Sequence, residues 1–275
     1  MDRDPVDPTG ATAAIEARAL SRHFGDLVAV ERLDLVVAHG AAFGLLGSNG
    51  AGKSTTIKML TTLLPPTAGD ARIAGFDVVR EARQVRRRIG YVPQMLSADA
   101  GLTGRENLVM SARLYGVPSG DRAARVADAL AFMGLTDVGS RLVKTYSGGM
   151  IRRLEIAQAL LHRPAVVFLD EPTVGLDPVA RHAVWEKLRE LREQFGTTVL
   201  LTTHDMDEAQ ALCDSLAIMH QGRVVALGSP VELKSAVGPS ATLDDVFVHF
   251  TGGAVDQGGA YREVARTRRT AHRLG

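Results

Sequence analysis

The chain has one cysteine, Cys213, and one tryptophan, Trp185, in 275 residues. A lone cysteine excludes an internal disulfide and any zinc site built from several thiolates, and it fits a reducing compartment. Neither sign of charge is in excess, with 32 basic residues against 31 acidic ones and a net charge of +1. No global field draws such a chain onto nucleic acid, and no nucleic-acid partner is expected. Long apolar runs are also missing. The longest, such as Ala165–Leu169, Phe43–Leu46 and Val199–Leu201, fall far short of the about 18–20 residues that cross a bilayer. The opening MDRDPVDPTGATAA lacks the apolar stretch of a secretory signal and reads as a flexible arm over 1–12. What remains is an ordinary globular composition, 45% hydrophobic and 23% charged, long enough for one to two domains of about 150 residues each.

Short apolar runs alternate with helical patterns, which predicts an α/β fold. Strands are expected at Ala41–Leu46, Ile89–Val92, Ala165–Asp170 and Val199–Thr203. Runs apolar throughout fit central parallel strands covered on both faces. A helix is expected over Thr55–Leu64, stopped by Pro65 and Pro66. Ala217–His220 and Arg223–Leu227 read as a hairpin across Gln221–Gly222. Between Gln94 and Ala159 the strand signal disappears. Thr103 and Glu106 form a capping-box start for a helix through Leu114. Asp121 caps a second helix, Ala123–Met133, and a third runs from Met150 to His162. Ser229–Pro230 opens a further helix. Leu243, Val246, Phe247 and Phe250 form a helical stripe over Thr242–Phe250. Trp185, in step with Leu188 and Leu191, is read as core, and Cys213 as a small buried apolar residue. Arg86–Arg88 reads as a solvated face. The end of the chain is basic, with Arg262, Arg266, Arg268, Arg269 and Arg273.

The chemistry begins at Gly47-Ser48-Asn49-Gly50-Ala51-Gly52-Lys53-Ser54, a phosphate-binding loop between an expected strand and an expected helix. Glycines let the backbone wrap phosphate oxygens, and successive N–H groups make an anion nest. Lys53 reaches the outer phosphates and Ser54 gives an oxygen to Mg²⁺. The second element is Asp170–Glu171, ending an apolar strand. There Asp170 holds Mg²⁺ through water, and Glu171, facing differently, polarises the attacking water. The competing reading is that both carboxylates only cap a helix after Pro172.

Tyr146-Ser147-Gly148-Gly149-Met150 lies between these two elements and resembles the signature motif of ATP-binding cassette (ABC) ATPases. Further landmarks of that family follow in order over about residues 15–230. Phe24 stands where the family places an adenine-stacking aromatic. Gln94 resembles the Q-loop glutamine, Gly175-Leu176-Asp177 the D-loop, and His204 the switch histidine. YSGGM and the later TLDDVFVHFTG resemble the ATPase subunits of bacterial drug exporters of the daunorubicin-resistance type.

The resemblance implies a P-loop NTPase fold, with a RecA-like, mostly parallel sheet core, an antiparallel β portion and an inserted helical subdomain. An ATPase domain would cover 13–230, with the helices inserted at about 95–160 and a C-terminal extension with a basic tail at 231–275. It implies ATP and Mg²⁺ as cofactors. Glu171 and His204 would be catalytic, and Ser54, Gln94 and Asp170 would serve the metal. Phe24, Gly47 to Thr55 (Thr55 included), Gln94, Ser147, Gly148, Gly149 and Asp177 would bind nucleotide. It further implies a homodimer in the ATP-bound state, each signature closing over the other chain's phosphate loop. The expected partner is an integral membrane permease subunit, the expected location the cytoplasmic face of the cell membrane, peripherally bound. The activity would be ATP hydrolysis coupled to export of a hydrophobic drug or antibiotic. A soluble ABC ATPase acting on ribosome or DNA is the alternative. Met150, Tyr146 and Val174 depart from the commonest residues at their positions and bear on contacts between subunits.

Overall fold

The structure is a computed structural model and describes residues 13–252; the arm over 1–12 and the basic tail lie outside the described residues. In chain order the elements are β1 (Ala13–Phe24), β2 (Leu27–Ala38), β3 (Ala42–Gly47), α1 (Lys53–Leu60), β4 (Ala68–Ile73), β5 (Phe76–Asp77), α2 (Ala82–Arg86) and β6 (Ile89–Val92). Then come α3 (Gly104–Leu114), α4 (Arg122–Phe132), α5 (Gly148–Leu160), β7 (Val166–Asp170), α6 (Pro178–Phe195) and β8 (Thr198–Thr203). The last are α7 (Met206–Leu212), β9 (Ser215–His220), β10 (Arg223–Gly228), α8 (Pro230–Val237) and α9 (Leu243–Thr251).

Two sheets result. A four-stranded antiparallel sheet has the order β2-β1-β4-β5, and a six-stranded sheet the order β10-β9-β3-β8-β7-β6. In the larger sheet β9, β3, β8, β7 and β6 run parallel, and only β10 is antiparallel. Side chains of a strand alternate between faces, so an apolar run feeds two cores. Phe43 and Leu45 of β3, Val166 and Phe168 of β7, and Leu200 of β8 face the core that includes α1 and the antiparallel sheet. Ala42, Leu46, Val167, Leu169, Val199 and Leu201 face the other core, shared with α3–α6 and with Leu243, Val246 and Phe247 of α9. Three of the predicted strands are therefore buried at every position.

The helix expected over Thr55–Leu64 starts at Lys53 and stops at Leu60. Its end is earlier than the prolines alone dictate. Thr62 turns left-handed at φ 65°, and the amides of Leu63 and Leu64 fold back onto Lys58 O at 2.9 and 3.0 Å. The capping box at Thr103–Glu106 forms, whereas Asp121 stands at the N-cap of α4 without a side-chain bond. Gln221 and Gly222 turn the β9–β10 hairpin, both with positive φ, as a two-residue turn between twisted strands requires.

One buried ion pair ties the helical segment to the parallel sheet. Arg152 and Glu155 of α5 pair at 3.0 Å with side chains 2% exposed. Arg152 donates to Pro93 O and to Gln94 O, both at 2.7 Å. Glu155 accepts from the Ser97 amide, the Ser97 hydroxyl and the Ala98 amide. The segment after β6, which carries Gln94, is thus held by both members of the pair. Removing one partner of such a pair leaves a buried charge and several orphaned groups. Glu155→Ala is expected to lower unfolding free energy by about 3–5 kcal/mol, read by urea denaturation; a loss below about 1 kcal/mol would mean that the pair carries little of the anchoring.

Candidate active site

The carboxyl ends of β3, β6, β7 and β8 meet at one edge of the parallel sheet, and each carries a predicted residue past its end. β3 runs into the loop Ser48–Gly52, which feeds α1. Gly50 and Gly52 take φ 81° and 105°. A Cβ on Gly52 would stand 2.5 Å from Ala29 O on β2, so glycine is required there both for conformation and for space. α1 has no side-chain cap. By contrast α3, α5, α6, α7, α8 and α9 are capped by Thr103, Ser147, Asp177, Asp205, Ser229 and Thr242. The first amides of a helix lack intrahelical acceptors. At α1 they open directly from the glycine loop, an arrangement that suits a phosphate chain.

Lys53 is buried and its ammonium donates to Gly47 O at 2.7 Å and Ser48 O at 3.1 Å. It also lies 3.4 Å from Glu171 Oε1. Burial pulls its pKa down, against the raising influence of Glu171 and Asp170. Ser54 Oγ donates to Asp170 Oδ1 at 3.1 Å, bringing the predicted metal-binding pair together. A hydroxyl and a carboxylate side by side beside an anion-binding loop make an oxygen donor set fit for Mg²⁺.

Glu171 is the point on which the other side chains converge. Gln94 Nε2 donates to its Oε2 at 3.3 Å. His204 Nδ1 lies 3.2 Å from the same oxygen, an ion pair when the imidazole is protonated. The His204 contact holds the Glu171 carboxyl below its usual range, the Lys53 charge adds to this, and burial opposes it. Glu171 in turn raises the His204 pKa, against burial and the Lys53 charge. Glu171 also adopts φ 48°, a left-handed backbone uncommon for a residue other than glycine, asparagine or aspartate.

Gln94 lies two residues beyond β6, and His204 follows β8 directly. Phe24 ends β1, half exposed, with the Arg22 guanidinium 4.6 Å from its ring centre. Its hairpin partner β2 is the strand whose Ala29 touches the Gly52 position. Thr55 lies within α1, Asn49 and Gly50 are exposed, and Ala51 is buried.

Ser147, Gly148, Gly149 and Asp177 do not join this cluster. Ser147 caps α5 by accepting from the Met150 amide at 3.3 Å. Asp177 caps α6 by accepting from the Ala180 amide at 2.9 Å. The two helix starts pack together, since a Cβ on Gly149 would meet Ala180 Cβ at 2.6 Å. Tyr146, where leucine is common, donates its hydroxyl to Val138 O at 2.7 Å.

Motif reading missed a buried polar knot behind the site. Glu208 of α7 accepts from the Thr173 hydroxyl at 2.6 Å and from the Trp185 indole at 3.1 Å. Burial raises its pKa. Trp185 is core, as expected, but also a hydrogen-bond donor. Arg181 pairs with Asp205, next to His204, at 2.7 Å. Thr202 was missed too; its hydroxyl donates to Asp170 Oδ1 at 2.6 Å. Thr202 had one sequence signal, a polar residue inside a largely apolar strand, whereas Glu208 sits among polar residues on its helix.

Comparison with known proteins gives a consistent result. A family profile described as ABC transporter matches residues 30–174. The daunorubicin/doxorubicin resistance ATP-binding protein DrrA of Streptomyces peucetius is 51% identical over 230 residues, covering 84% of this chain and 69% of that protein. The Nod factor export ATP-binding protein I of Paraburkholderia xenovorans is 45% identical, covering 80% of this chain and 72% of its own length. A solved structure of the ATP-binding subunit of an ABC transporter superposes with TM-score 0.77 at 33% identity, over 86% of this chain and 99% of that one.

The Glu171–His204 contact has a pH signature. The raised histidine pKa means that its contribution is complete below the ordinary value of 6.5 and is lost as pH rises through the folded value. The lowered glutamate pKa makes its contribution complete above 4.5 and lost as pH falls through the folded value. The pair is therefore at full strength between these two ordinary values. Because the His204 side chain is 42% exposed, solvent screens the effect. The melting-temperature advantage of the native chain over His204→Ala should shrink by about 1–2 °C from pH 6 to pH 8.5. An advantage that grows with pH would reverse the assignment.

Proposed function

This chain belongs to the ABC transporter family, and from that premise we propose that it is the ATP-hydrolysing subunit of an exporter, powering a separate membrane permease that expels a hydrophobic drug or antibiotic. The observation that carries the reading is the convergence of Lys53, Gln94 and His204 on Glu171, beside an uncapped glycine-loop helix start. The export direction and the substrate class rest on likeness to the drug-resistance and Nod-factor export proteins. No helix among the described residues is long and apolar enough to cross a membrane, and likeness to ATP-binding subunits of transporters supports a membrane-embedded partner. A groove of about 330 Å³ lined by Tyr91, Pro93, Leu114 and Tyr115, with Met95 and Leu96 exposed next to Gln94, supports docking of the permease at the Q-loop. In this reading the subunit sits peripherally on the cytoplasmic face, with the 13–230 region as its motor.

In this reading the loop amides from Gly47 to Thr55 and the Lys53 ammonium hold the phosphates, and Phe24 offers its ring to adenine. An ammonium that donates to Gly47 O and Ser48 O and lies near Glu171 can turn from these partners to a phosphate without leaving its burial site. Ser54, Asp170 and Gln94 are the residues that would hold Mg²⁺, which when bound neutralises charge on the phosphate oxygens. Glu171 takes the proton of the attacking water. It must be ionised to do so, and its depressed pKa keeps it ionised at neutral pH. His204 fixes one oxygen of that carboxylate and Lys53 lies near the other.

Ser147 bonds to the Met150 amide and Gly149 faces Ala180 rather than the chain's own phosphate loop, which supports a second copy as the source of the missing cover. Two chains paired head to tail would each place a signature over the other's ATP, and hydrolysis would release them.

Glu171→Gln keeps the shape and one accepting oxygen but removes the base. It should bind ATP with near-native affinity, accumulate as an ATP-bound dimer by size-exclusion chromatography, and turn over about 10²–10⁴-fold more slowly. Undiminished turnover would remove Glu171 as the base. Co-purification with a membrane protein, followed by a drug panel for ATPase stimulation, tests the exporter assignment; no co-purifying permease and no responsive compound would refute it.

A further inference from the structure

Thr202 lies on β8 directly opposite Asp170 in the β7–β8 register and is fully buried. Its hydroxyl is used twice. It donates to Asp170 Oδ1 at 2.6 Å, and it accepts from the backbone N–H of Glu171 at 3.0 Å. The same N–H also reaches Thr202 O at 3.1 Å. One side chain thus ties the carboxylate of the first acidic residue to the backbone of the second. Bonds in series of this kind, from an amide through a hydroxyl to a carboxylate, reinforce one another in a dry interior.

The two tied groups are under opposite demands. Asp170 Oδ1 accepts from Thr202 and from Ser54, but Ser54 is the hydroxyl expected to turn to Mg²⁺. When it does, Thr202 is the donor that still fixes the orientation of the carboxylate. Glu171 stands at φ 48°, a conformation that persists only where its surroundings over-determine it. Its amide is held by two acceptors of a single residue, Thr202, while its carboxylate points to Gln94, His204 and Lys53. A valine at position 202 would fill nearly the same volume and keep the backbone carbonyl, but would lose both side-chain bonds.

We infer that Thr202 is a positioning residue for ATP hydrolysis: its hydroxyl sets Asp170 toward the metal side of the site and Glu171 toward the water side. This rests on the roles given above to Asp170 and Glu171. A purely structural threonine would need only to satisfy its own hydroxyl, and a substitution there would alter stability without altering the metal response.

The test compares Thr202→Val, Thr202→Ser and Glu171→Gln in the full chain. Losing a charged hydrogen bond within a buried chain corresponds to about a 10- to 100-fold effect. Thr202→Val is expected to lower kcat by that factor with KM for ATP within about twofold of native. Calorimetry should show metal-free ATP binding unchanged and the tightening produced by added Mg²⁺ reduced. Hydrogen exchange at the Glu171 amide should quicken. Thr202→Ser, which keeps the hydroxyl, should restore turnover and the Mg²⁺ response to within about threefold. If Thr202→Val does not fold, Thr202→Ala supplies a smaller hydroxyl-free variant.

A hydroxyl-free variant with native turnover and a native Mg²⁺ response overturns the inference. A serine variant as impaired as the valine one does so as well, because the methyl group would then be what matters. Turnover lost in Glu171→Gln but kept in Thr202→Val overturns this inference alone. Turnover kept in Glu171→Gln overturns the base assignment and the inference with it.

Discussion

Two consecutive carboxylates, Asp170 and Glu171, stand at the end of a strand buried at every position, and a buried charge persists only where partners surround it. The rest of the site can be read as the supply of those partners. β3 delivers Ser54 and Lys53 through the glycine loop, β8 delivers Thr202 and His204, and β6 delivers Gln94. Parallel strands make this possible because their carboxyl ends fall on one edge, where chain reversals leave side chains free of the ladder. The distribution is unequal in a useful way. Asp170 is met by two hydroxyls, which orient a carboxylate without neutralising it. Glu171 is met by an ammonium, an imidazole and an amide, which favour its ionised form.

Gln94 has a second attachment that the other members lack. Its side chain reaches Glu171, while its backbone carbonyl accepts from Arg152 on α5. That helix begins after its Ser147 cap, so a single rigid element connects the Ser147–Gly149 segment with the segment that touches Glu171. The buried Arg152–Glu155 pair is costly to desolvate, but its geometry is specific. The guanidinium meets two successive carbonyls, and the carboxylate meets two successive amides beyond them. An apolar replacement would pack well yet leave those four backbone groups without partners, so the ionic solution suits a loop that has no sheet to bond to.

The central strands and the loop chemistry were legible from residue pattern because burial on both faces produces runs with no polar member, and glycines at fixed offsets have few other uses. Ile89–Val92 and the capping box at Thr103 form as read. The long antiparallel strands β1 and β2 were not legible individually. They mix charged and apolar residues, and their pairing is broken by several register shifts, so alternation does not persist over a readable length. The early end of α1 was hidden because Thr61 to Leu64 remain compatible with a helix in composition, and only the left-handed Thr62 breaks it. Arg152, Glu155 and Glu208 were opaque for the opposite reason. Charged residues on helices normally mark the solvated face, and nothing local announces that these are buried.

Helix starts separate the two glycine-bearing motifs in physical terms. At α1 no side chain competes for the first amides, so an anion arriving there meets amides that no cap holds. At α5 the Ser147 hydroxyl already caps the helix by bonding to the Met150 amide, and at α6 Asp177 does the same for Ala180. In the proposed pair, a phosphate presented by a second chain would compete with a bond worth about 1 kcal/mol at the Ser147 cap. Binding at the first site is an affinity of the single chain. Binding at the second would, in the proposed pairing, be a property of the pair, gained only when enough surface closes to outweigh both the lost cap and the ordering of two molecules. In the proposed pair, that asymmetry would make ATP a condition for pairing and leave the isolated chain with only half of each site.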